Sequence, residues 1–261
     1  MKKQSLGGFL MCMCALLLAA FCLVMPIGAR DNGWYVKREK NNLQPKLDAG
    51  QEIIREYDGY YIDEKHGDGC AEKVIYLTFD AGYVNENVIS ILDTLKKENV
   101  PAAFFVLEHV LDANADAVRR MQKEGHLVCN HTMKHKDMTR VDKAEFTAEL
   151  QGLAEKYKAL TGCEMPKYYR PPEGKYTREN LSWAKELGYR TVFWSFAYAD
   201  WDNGNQPEIA RAKKKITENM HNGAVLLLHP TSKTNAELLP ELIREWKAEG
   251  YHFGTLDELT A

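Results

Sequence analysis

The sequence has no excess of basic residues. Its 261 residues include 34 lysines and arginines against 37 aspartates and glutamates, which gives a net charge of −3 at pH 7. A protein that binds nucleic acid needs a basic face to neutralise phosphates, so this balance argues against a nucleic-acid partner. No internal repeat or low-complexity tract stands out. What is present, 45% hydrophobic and 27% charged residues, is ordinary for a globular protein.

Cysteine is scarce in the part of the chain that is expected to fold. Three of the six cysteines lie in an apolar N-terminal segment, which leaves Cys70, Cys129 and Cys163. This odd number permits one disulfide but excludes a disulfide framework. Cys129 lies inside an apolar strand pattern, where a thiol acts as a small core hydrophobe.

The long apolar run of the chain is at its N-terminus. Two lysines precede residues 6–29, which carry no charge. This layout is typical of a secretory signal peptide, with Ala29 as a candidate cleavage position. The run is also long enough to span a bilayer if it is not cut. A lipoprotein signal fits poorly, because Phe21 stands before Cys22 where a small residue is needed. Both remaining alternatives place the rest of the chain outside the cytoplasmic membrane.

Three regions follow along the chain. Residues 1–29 are the signal peptide or membrane anchor, and residues 30–72 form a polar, irregular linker or N-terminal extension with a short helix near residues 52–56. From residue 73 to residue 261, strand and helix patterns alternate about seven times. Strands are predicted at residues 73–79, 102–107, 126–131, 167–171, 189–196, 224–229 and 251–256. Helices are predicted at residues 85–100, 115–125, 142–162, 177–188, 207–223 and 235–250, with Asp142, Pro207 and Thr234 at three of their starts.

This alternation predicts parallel strands joined by crossover helices, in either a closed barrel or a doubly wound sheet. Five strands carry a polar or ionisable residue at the C-terminal end. These residues are Asp80, His131, His135, Arg170, Asp200 and His229. In a barrel such ends converge on one mouth, whereas strands at opposite edges of an open sheet could not all meet. The pattern therefore favours a (β/α) barrel, with seven strands rather than eight.

Each of these residues is a weak signal when it is taken alone. His131 and His135 have the spacing i, i+4, so their imidazoles could share one cation if the chain is helical there. Arg170 could hold a carboxylate in its ionised form, although it could equally lie in an ordinary loop before Gly174.

The last two strand ends have alternatives as well. A solitary histidine after a core strand, such as His229, is more often structural than catalytic. Asp200 and Asp202 lie beside Tyr198 and Trp201, and aromatic rings next to carboxylates suit sugar binding but also occur in plain cores.

The order of the motifs is more specific than any one of them. The stretches TFDAG, HTMKH, RPPEG, YADWD and LLLH resemble, in sequence order, the five motifs of the polysaccharide deacetylases with a NodB-homology domain, carbohydrate esterase family 4. The resemblance covers residues 73–261. The stretches YDGYYID, RPPEG and TVFWSFAYADW are most similar to the delta-lactam-biosynthetic de-N-acetylases of spore-forming bacteria.

The resemblance implies a distorted (β/α) barrel and an exported, monomeric hydrolase that removes acetyl groups from an amino sugar of peptidoglycan. The delta-lactam branch points to N-acetylmuramic acid and to muramic δ-lactam in spore cortex. The membrane would be contacted only through the N-terminal segment. Two alternatives are an N-acetylglucosamine deacetylase acting on peptidoglycan or chitin, and a non-catalytic protein that binds cell-wall glycan.

The resemblance also implies a role for each matched residue. Asp80 would be the general base that activates water, and Arg170 would orient it. His131 and His135 would hold a divalent metal such as zinc, cobalt or manganese. The backbone N–H of Glu173 would complete an oxyanion hole.

On the opposite side of the reacting amide, the resemblance assigns His229 as the general acid that protonates the leaving amine. Asp200 would keep that imidazole protonated, because a nearby carboxylate raises its pKa.

Ala81 departs from the family pattern. Most members carry a second aspartate there as the third protein ligand of the metal, and the delta-lactam branch often carries asparagine. A methyl group coordinates nothing, so the resemblance leaves a weak metal site, a site with little or no metal, or lost catalysis. Because Asp80, Arg170, Asp200 and His229 are all present, we expect an active enzyme.

Overall fold

The computed structural model describes residues 32–261, and the predicted signal peptide or anchor at residues 1–29 lies outside them. The strands are β1 Asn32–Gly33, β2 Gly59–Tyr60, β3 Lys73–Ala81, β4 Ala103–Val106, β5 Leu127–Asn130, β6 Tyr168–Tyr169, β7 Lys175–Tyr176, β8 Arg190–Val192, β9 Phe196–Ala197, β10 Ala224–Leu228 and β11 Tyr251–Phe253. The helices are α1 Ile53–Glu56, α2 Glu86–Glu98, α3 Glu108–Ala113, α4 Ala115–Lys123, α5 Lys143–Thr161, α6 Arg178–Glu186, α7 Ile209–Thr217, α8 Lys233–Ala248 and α9 Leu256–Leu259. Two 3-10 turns lie at Met138–Arg140 and Pro172–Gly174.

The strands form a curled parallel sheet in the order β2-β8-β6-β5-β4-β3-β10-β9, with β11 added beside β3. Each of the seven predicted strand segments contains a strand. The fifth segment, predicted as one strand over residues 189–196, is divided: β8 pairs with β6, and β9 pairs with β10. The backbone between them also bonds to β10, since Ser195 N donates to the carbonyl of Val225 at 3.0 Å. This segment therefore bends the sheet round into the predicted distorted (β/α) barrel.

The central strand β3 shows how the sequence gives two apolar layers. Successive side chains of a strand point to opposite faces. Ile75 and Phe79 lie in the layer that packs under the helices. Val74 and Tyr76 lie in an interior cluster to which β3, β4, β5, β6, β8 and β10 all contribute. Asp80 is an even number of residues away from Val74 and Tyr76, so its side chain points to the same interior face. Because Asp80 is near the C-terminal end of β3, this places it at the mouth of the barrel.

Helix boundaries follow local capping chemistry. The predicted cap of α5 is confirmed, because the Asp142 carboxylate accepts a 2.8 Å hydrogen bond from Glu145 N. The prediction that Thr234 caps α8 is wrong: Ser232 is the N-cap, and its Oγ accepts from Asn235 N at 3.2 Å. Helix α7 begins at Ile209, two residues after the predicted start. A capping side chain one residue or more away from the predicted start accounts for both errors.

The last predicted strand also ends earlier than expected. Residues 251–256 were predicted as a strand, but β11 ends at Phe253 and Thr255 opens the helix α9 in a capping box with Glu258. This helix supplies Leu256 and Leu259 to the interior cluster of the barrel.

The N-terminal extension packs against the barrel in its described part. Trp34, Ile54, Tyr61 and Ile62 are buried together with Phe193. The short helix predicted near residues 52–56 is present as α1. The extension thus adds its own apolar cluster beside the segment that connects β8 with β9.

Two further sequence-based expectations concern cysteine and membrane contact. Cys70, Cys129 and Cys163 are free thiols, so the disulfide that the sequence permits is not formed among them. Cys129 is buried in the interior cluster, as its strand pattern predicts. Within residues 32–261, none of the helices combines the length and apolarity that crossing a membrane requires.

Candidate active site

A cleft of about 570 Å³ opens at the C-terminal ends of the strands. Its lining comprises Asp80, His131, His135, Glu173, Gly174, Trp194, Tyr198, Trp201, Leu227 and His229. Five of the seven site residues predicted from the sequence therefore face one cavity. The other two, Arg170 and Asp200, are fully buried and bind cleft residues directly.

Asp80 and Arg170 form a buried ion pair on one side of the cleft. Arg170 Nη1 donates to Asp80 Oδ1 at 2.8 Å. Burial acts to raise the pKa of Asp80, but the charge of Arg170, its hydrogen bond and the neighbouring imidazoles together outweigh burial and hold that pKa below its usual value. Asp80 is therefore ionised at neutral pH and can accept a proton from water.

The guanidinium of Arg170 is fixed by four further contacts. It donates to the Thr78 hydroxyl at 2.8 Å, to the Val192 carbonyl at 2.9 Å and to the Phe193 carbonyl at 3.1 Å. Its Cζ atom lies 4.1 Å from the ring centroid of Phe105. Burial lowers the pKa of Arg170, yet a guanidinium is so basic that it stays charged. The last residue of β8 and the first residue of the bend that follows it supply these two carbonyl acceptors.

His131 is neutral and its tautomer is determined by its surroundings. Burial lowers its pKa to about 4. Nδ1 lies 2.8 Å from the carbonyl oxygen of Arg170, which can only accept, so Nδ1 carries the hydrogen. Nε2 keeps its lone pair and lies 3.6 Å from Asp80 Oδ2. This is the state in which an imidazole can bind a metal ion.

The backbone between His131 and His135 is not helical, so the condition attached to their i, i+4 spacing is not met. Thr132 and His135 adopt left-handed conformations, with φ of 71° and 53°. The two imidazoles nevertheless come together, with ring centroids 5.1 Å apart and planes at 74°. A folded loop, rather than a helical turn, makes this pair.

His229 and Asp200 form a second pair, across the cleft. His229 Nδ1 lies 2.7 Å from Asp200 Oδ1, and the backbone N of His229 donates to Asp200 Oδ2 at 2.8 Å. Burial acts to lower the pKa of His229, but the hydrogen bond and charge of Asp200 outweigh it, so the pKa is raised. The imidazole is thereby favoured in its protonated form, which can donate a proton.

Asn235 binds both residues of this pair, and the sequence did not predict it. Its side-chain amide donates to Asp200 Oδ2 at 2.6 Å and to the carbonyl of His229 at 3.0 Å, and its Oδ1 accepts from the Tyr198 hydroxyl. Asp200 thus accepts three hydrogen bonds without contact with solvent. Asn235 lies within the predicted helix, and its sequence position carried no signal of this role.

Glu173 lies at the mouth of the cleft on the turn that follows β6. It has φ of 56°, and its carboxylate pairs with Lys175 at 2.8 Å. Gly174 comes next, with φ of 67°. A Cβ at Gly174 would lie 2.7 Å from the Trp194 ring and 2.8 Å from Trp34 Cβ, so this turn requires glycine.

Ala81 is fully buried in the layer under the helices and is not among the residues that line the cleft. No group of three histidine, cysteine, aspartate or glutamate side chains within residues 32–261 is placed to hold a metal ion. His131 and His135 still have the donor chemistry that a divalent ion needs. The residues therefore fit a site with two histidines and no third ligand at position 81.

Aromatic side chains flank the His229 side of the cleft. Trp201 is 61% exposed, and its ring centroid lies 6.1 Å from that of His229. Tyr198 is buried. Asp202, by contrast, is absent from the lining and caps a turn by accepting from Gly204 N at 2.9 Å.

Two ion pairs facing one cleft at the mouth of a distorted barrel agree with the family that the motifs resemble. The profile of the polysaccharide deacetylase family matches residues 68–192. The chain belongs to this family, carbohydrate esterase family 4, which is a class of hydrolases. Deacetylases of this family generally depend on a metal.

Individual relatives extend the match beyond that region. The chain is 38% identical to peptidoglycan-N-acetylmuramic acid deacetylase PdaA of Bacillus subtilis over 229 residues, which are 87% of this chain and 84% of PdaA. The solved structure of PdaA, described as a family 4 carbohydrate esterase, matches with a TM-score of 0.81 and covers 88% of this chain and 96% of that one. An uncharacterized 30.6 kDa protein of Geobacillus stearothermophilus is 42% identical over 224 residues, 85% of this chain and 83% of that protein.

Proposed function

We propose that this chain is an exported, monomeric de-N-acetylase that hydrolyses the acetamide of N-acetylmuramic acid in peptidoglycan. The observation that carries the proposal is that one cleft contains a group favoured as a base and a group favoured as an acid. Asp80 is held ionised by Arg170, and His229 is favoured in its protonated form by Asp200. Amide hydrolysis needs such a base and such an acid together.

The reaction follows from these two groups. Asp80 takes a proton from a water molecule whose oxygen forms a bond to the acetamide carbon. The carbonyl oxygen becomes an oxyanion, for which we assign the backbone N–H of Glu173 as a donor. The C–N bond then breaks as His229 gives its Nε2 proton to the nitrogen. The products are acetate and the free amino sugar.

We assign His131 and His135 to a divalent ion, zinc, cobalt or manganese. When bound, such an ion polarises the carbonyl and makes water more acidic. The neutral, Nδ1-protonated state of His131 supports this assignment. Because Ala81 supplies no ligand, we expect weaker binding than in a site with three protein ligands.

The choice of substrate rests on the similarity to PdaA, the peptidoglycan-N-acetylmuramic acid deacetylase of Bacillus subtilis. Removal of the acetyl group frees the amine whose nitrogen becomes the amide nitrogen of a muramic δ-lactam, so we place the enzyme in the formation of that lactam in spore cortex. The N-terminal residues 1–29, as signal peptide or anchor, would put the domain at the cell wall.

Acetate release from muramic-containing glycan, with and without a chelator, tests the proposal. We expect release by the wild type, a lower rate with chelator, and loss of release in the variant His229→Ala. His252→Ala, at a half-exposed histidine on β11, is the matched control and should keep full activity. Full activity of His229→Ala would remove the general acid from the mechanism.

An N-acetylglucosamine substrate, in peptidoglycan or chitin, is the first alternative. Among the described residues that line the cleft there is no lysine or arginine to pair with the lactyl carboxylate of muramic acid. This observation favours a neutral sugar. Mass spectrometry of defined oligomers after reaction separates the two, since the mass loss of one acetyl group then falls on an identified residue.

A non-catalytic glycan-binding protein is the second alternative, and Ala81 is the observation that favours it. Its signature would be binding to cell-wall glycan without acetate release when manganese, cobalt and zinc are each supplied. Release with any one of these metals would exclude it.

A further inference from the structure

The loop between His131 and His135 is held by side chains at every backbone N–H from residue 132 to residue 135. Asn130 Oδ1 accepts from Thr132 N at 3.0 Å, and Thr132 Oγ1 accepts from His135 N at 3.0 Å. The two amides between them, Met133 N and Lys134 N, both donate to Glu149 Oε2 at 2.9 Å. The loop therefore has no regular secondary structure of its own and depends on these acceptors.

Asn130 and Thr132 lie next to the loop or within it, whereas Glu149 comes from a helix later in the chain. It lies on α5, and it is only 5% exposed. A buried carboxylate is costly unless it is paired and hydrogen-bonded. Here the two loop amides and Lys136, whose Nζ lies 3.1 Å from Glu149 Oε1, meet that requirement. The carboxylate thus ties the histidine loop to a long, rigid helix.

The backbone of this loop would not hold its shape unaided. Thr132 and His135 both have positive φ, a conformation that residues with a Cβ adopt only when surrounding contacts over-determine it. Thr132 is β-branched and fully buried, which makes the conformation still less favourable. Contacts that fix the peptides between these two residues are therefore what keeps the imidazoles 5.1 Å apart.

We propose that Glu149 is the positioning residue of the histidine pair: its carboxylate shapes the loop and so sets where His135 stands relative to His131. This inference rests on the proposed function only in taking the pair as the metal site. Glu149 itself touches neither imidazole, and its effect passes through the peptides of Met133 and Lys134.

The chain offers a matched control for this proposal. Glu145 lies one turn earlier on α5 and pairs with the same Lys136, at 2.6 Å, but it has no bond to the loop backbone. A variant at Glu145 removes a carboxylate from the same helix and the same lysine. Only a variant at Glu149 also removes the acceptor of the two loop amides.

The experiment compares the full-length wild type with Glu149→Ala, Glu149→Gln and Glu145→Ala. Titration calorimetry with zinc should show about 10- to 100-fold weaker binding by Glu149→Ala, the range typical for residues that orient metal ligands. Glu149→Gln keeps a neutral acceptor of the same shape and should lie between, while Glu145→Ala should equal the wild type. Wild-type affinity in a folded Glu149→Ala would overturn the proposal.

A second measurement does not depend on metal or on activity. In the metal-free proteins, the NMR signals of the His131 and His135 rings should shift in Glu149→Gln and stay unchanged in Glu145→Ala. Unchanged ring signals in Glu149→Gln would overturn the proposal, even if Glu149→Ala fails to fold or the wild type binds no zinc. Absence of acetate release by the wild type would instead count against the proposed function alone.

Discussion

Arg170 and Asp80, 90 residues apart in the chain, are joined by a 2.8 Å hydrogen bond in the buried floor of the cleft. The planar guanidinium binds the Thr78 hydroxyl and the Val192 carbonyl at the same time. A lysine carries the same charge on one nitrogen and cannot match this set of directions. The pair therefore depends on the shape of arginine as well as on its charge.

We accordingly predict that Arg170→Lys lowers the rate of acetate release by about 100-fold or more, the least that a positioned general base contributes. Asp80 would lose a fixed orientation while keeping a nearby cation. Arg178→Lys, at an exposed arginine on α6, is the control and should be neutral. A rate for Arg170→Lys within a few-fold of the wild type would show that the positive charge is sufficient and that the planar guanidinium is not needed.

The pH dependence of the reaction should report His229. A general acid must be protonated, so activity is lost as the pH rises through its pKa. Asp200 raises that pKa, and Asp200→Asn removes the charge that does so. We predict that the alkaline limb of the kcat/KM profile moves to lower pH in Asp200→Asn, because the protonated imidazole loses the carboxylate that stabilises it.

The neighbouring Asp202→Asn provides the comparison for that profile. Asp202 caps a turn and makes no contact with His229, so its variant should keep the wild-type limb. An alkaline limb that moves equally in both variants would point to a general charge effect. An alkaline limb that moves in neither variant would show that Asp200 does not control the pKa of the general acid His229.

Much of the site could be predicted because the ends of parallel strands in a barrel must meet. Asp80, His131 and His229 each lie at the C-terminal end of an apolar strand, so the strand pattern alone brings them to the mouth. Arg170 and Asp200 also follow strands, but whether they face the cleft or lie beneath it depends on packing. The structure buries both, where each binds one residue of the cleft.

The rest of the site depends on contacts that spacing in the sequence does not reveal. The i, i+4 spacing would bring the two histidines together only on a helical turn, but the acceptors from Asn130 and Glu149 stabilise a non-helical loop that pairs them instead. Likewise, the pattern of residues 189–196 reads as one strand. It is divided because one half pairs with β6 and the other with β10, so the curl of the sheet, rather than local propensity, decides where the strand breaks.

The extension should contribute to stability, although its sequence is polar and irregular. Trp34 is 6% exposed, stacks on Phe193 with centroids 4.4 Å apart and donates from Nε1 to the Trp194 carbonyl at 2.9 Å. We predict that Trp34→Ala lowers the free energy of unfolding in urea by about 3–5 kcal/mol, as for other buried aromatic truncations.

Tyr35 is the internal reference for that measurement. It is the next residue along the chain but is 51% exposed. Tyr35→Ala should change the free energy of unfolding by no more than about 1 kcal/mol. Equal values for Trp34→Ala and Tyr35→Ala would mean that the extension is a linker, without a stabilising contact on the barrel.

Trp201 should contribute to substrate binding rather than to folding. Its side chain is 61% exposed beside His229, in a position where a flat indole can stack on the face of a sugar ring. We predict that Trp201→Ala raises KM for glycan about tenfold, equivalent to ~1.4 kcal/mol, with kcat within about twofold of the wild type.

Two control variants test this prediction. Trp201→Phe should recover most of the affinity, and Ile209→Ala, at an exposed apolar residue outside the cleft lining, should change neither constant. Thermal unfolding at the wild-type temperature for Trp201→Ala would confirm that the loss is in binding. A fall in kcat with unchanged KM would instead mean that Trp201 acts on the chemical step through its neighbour His229.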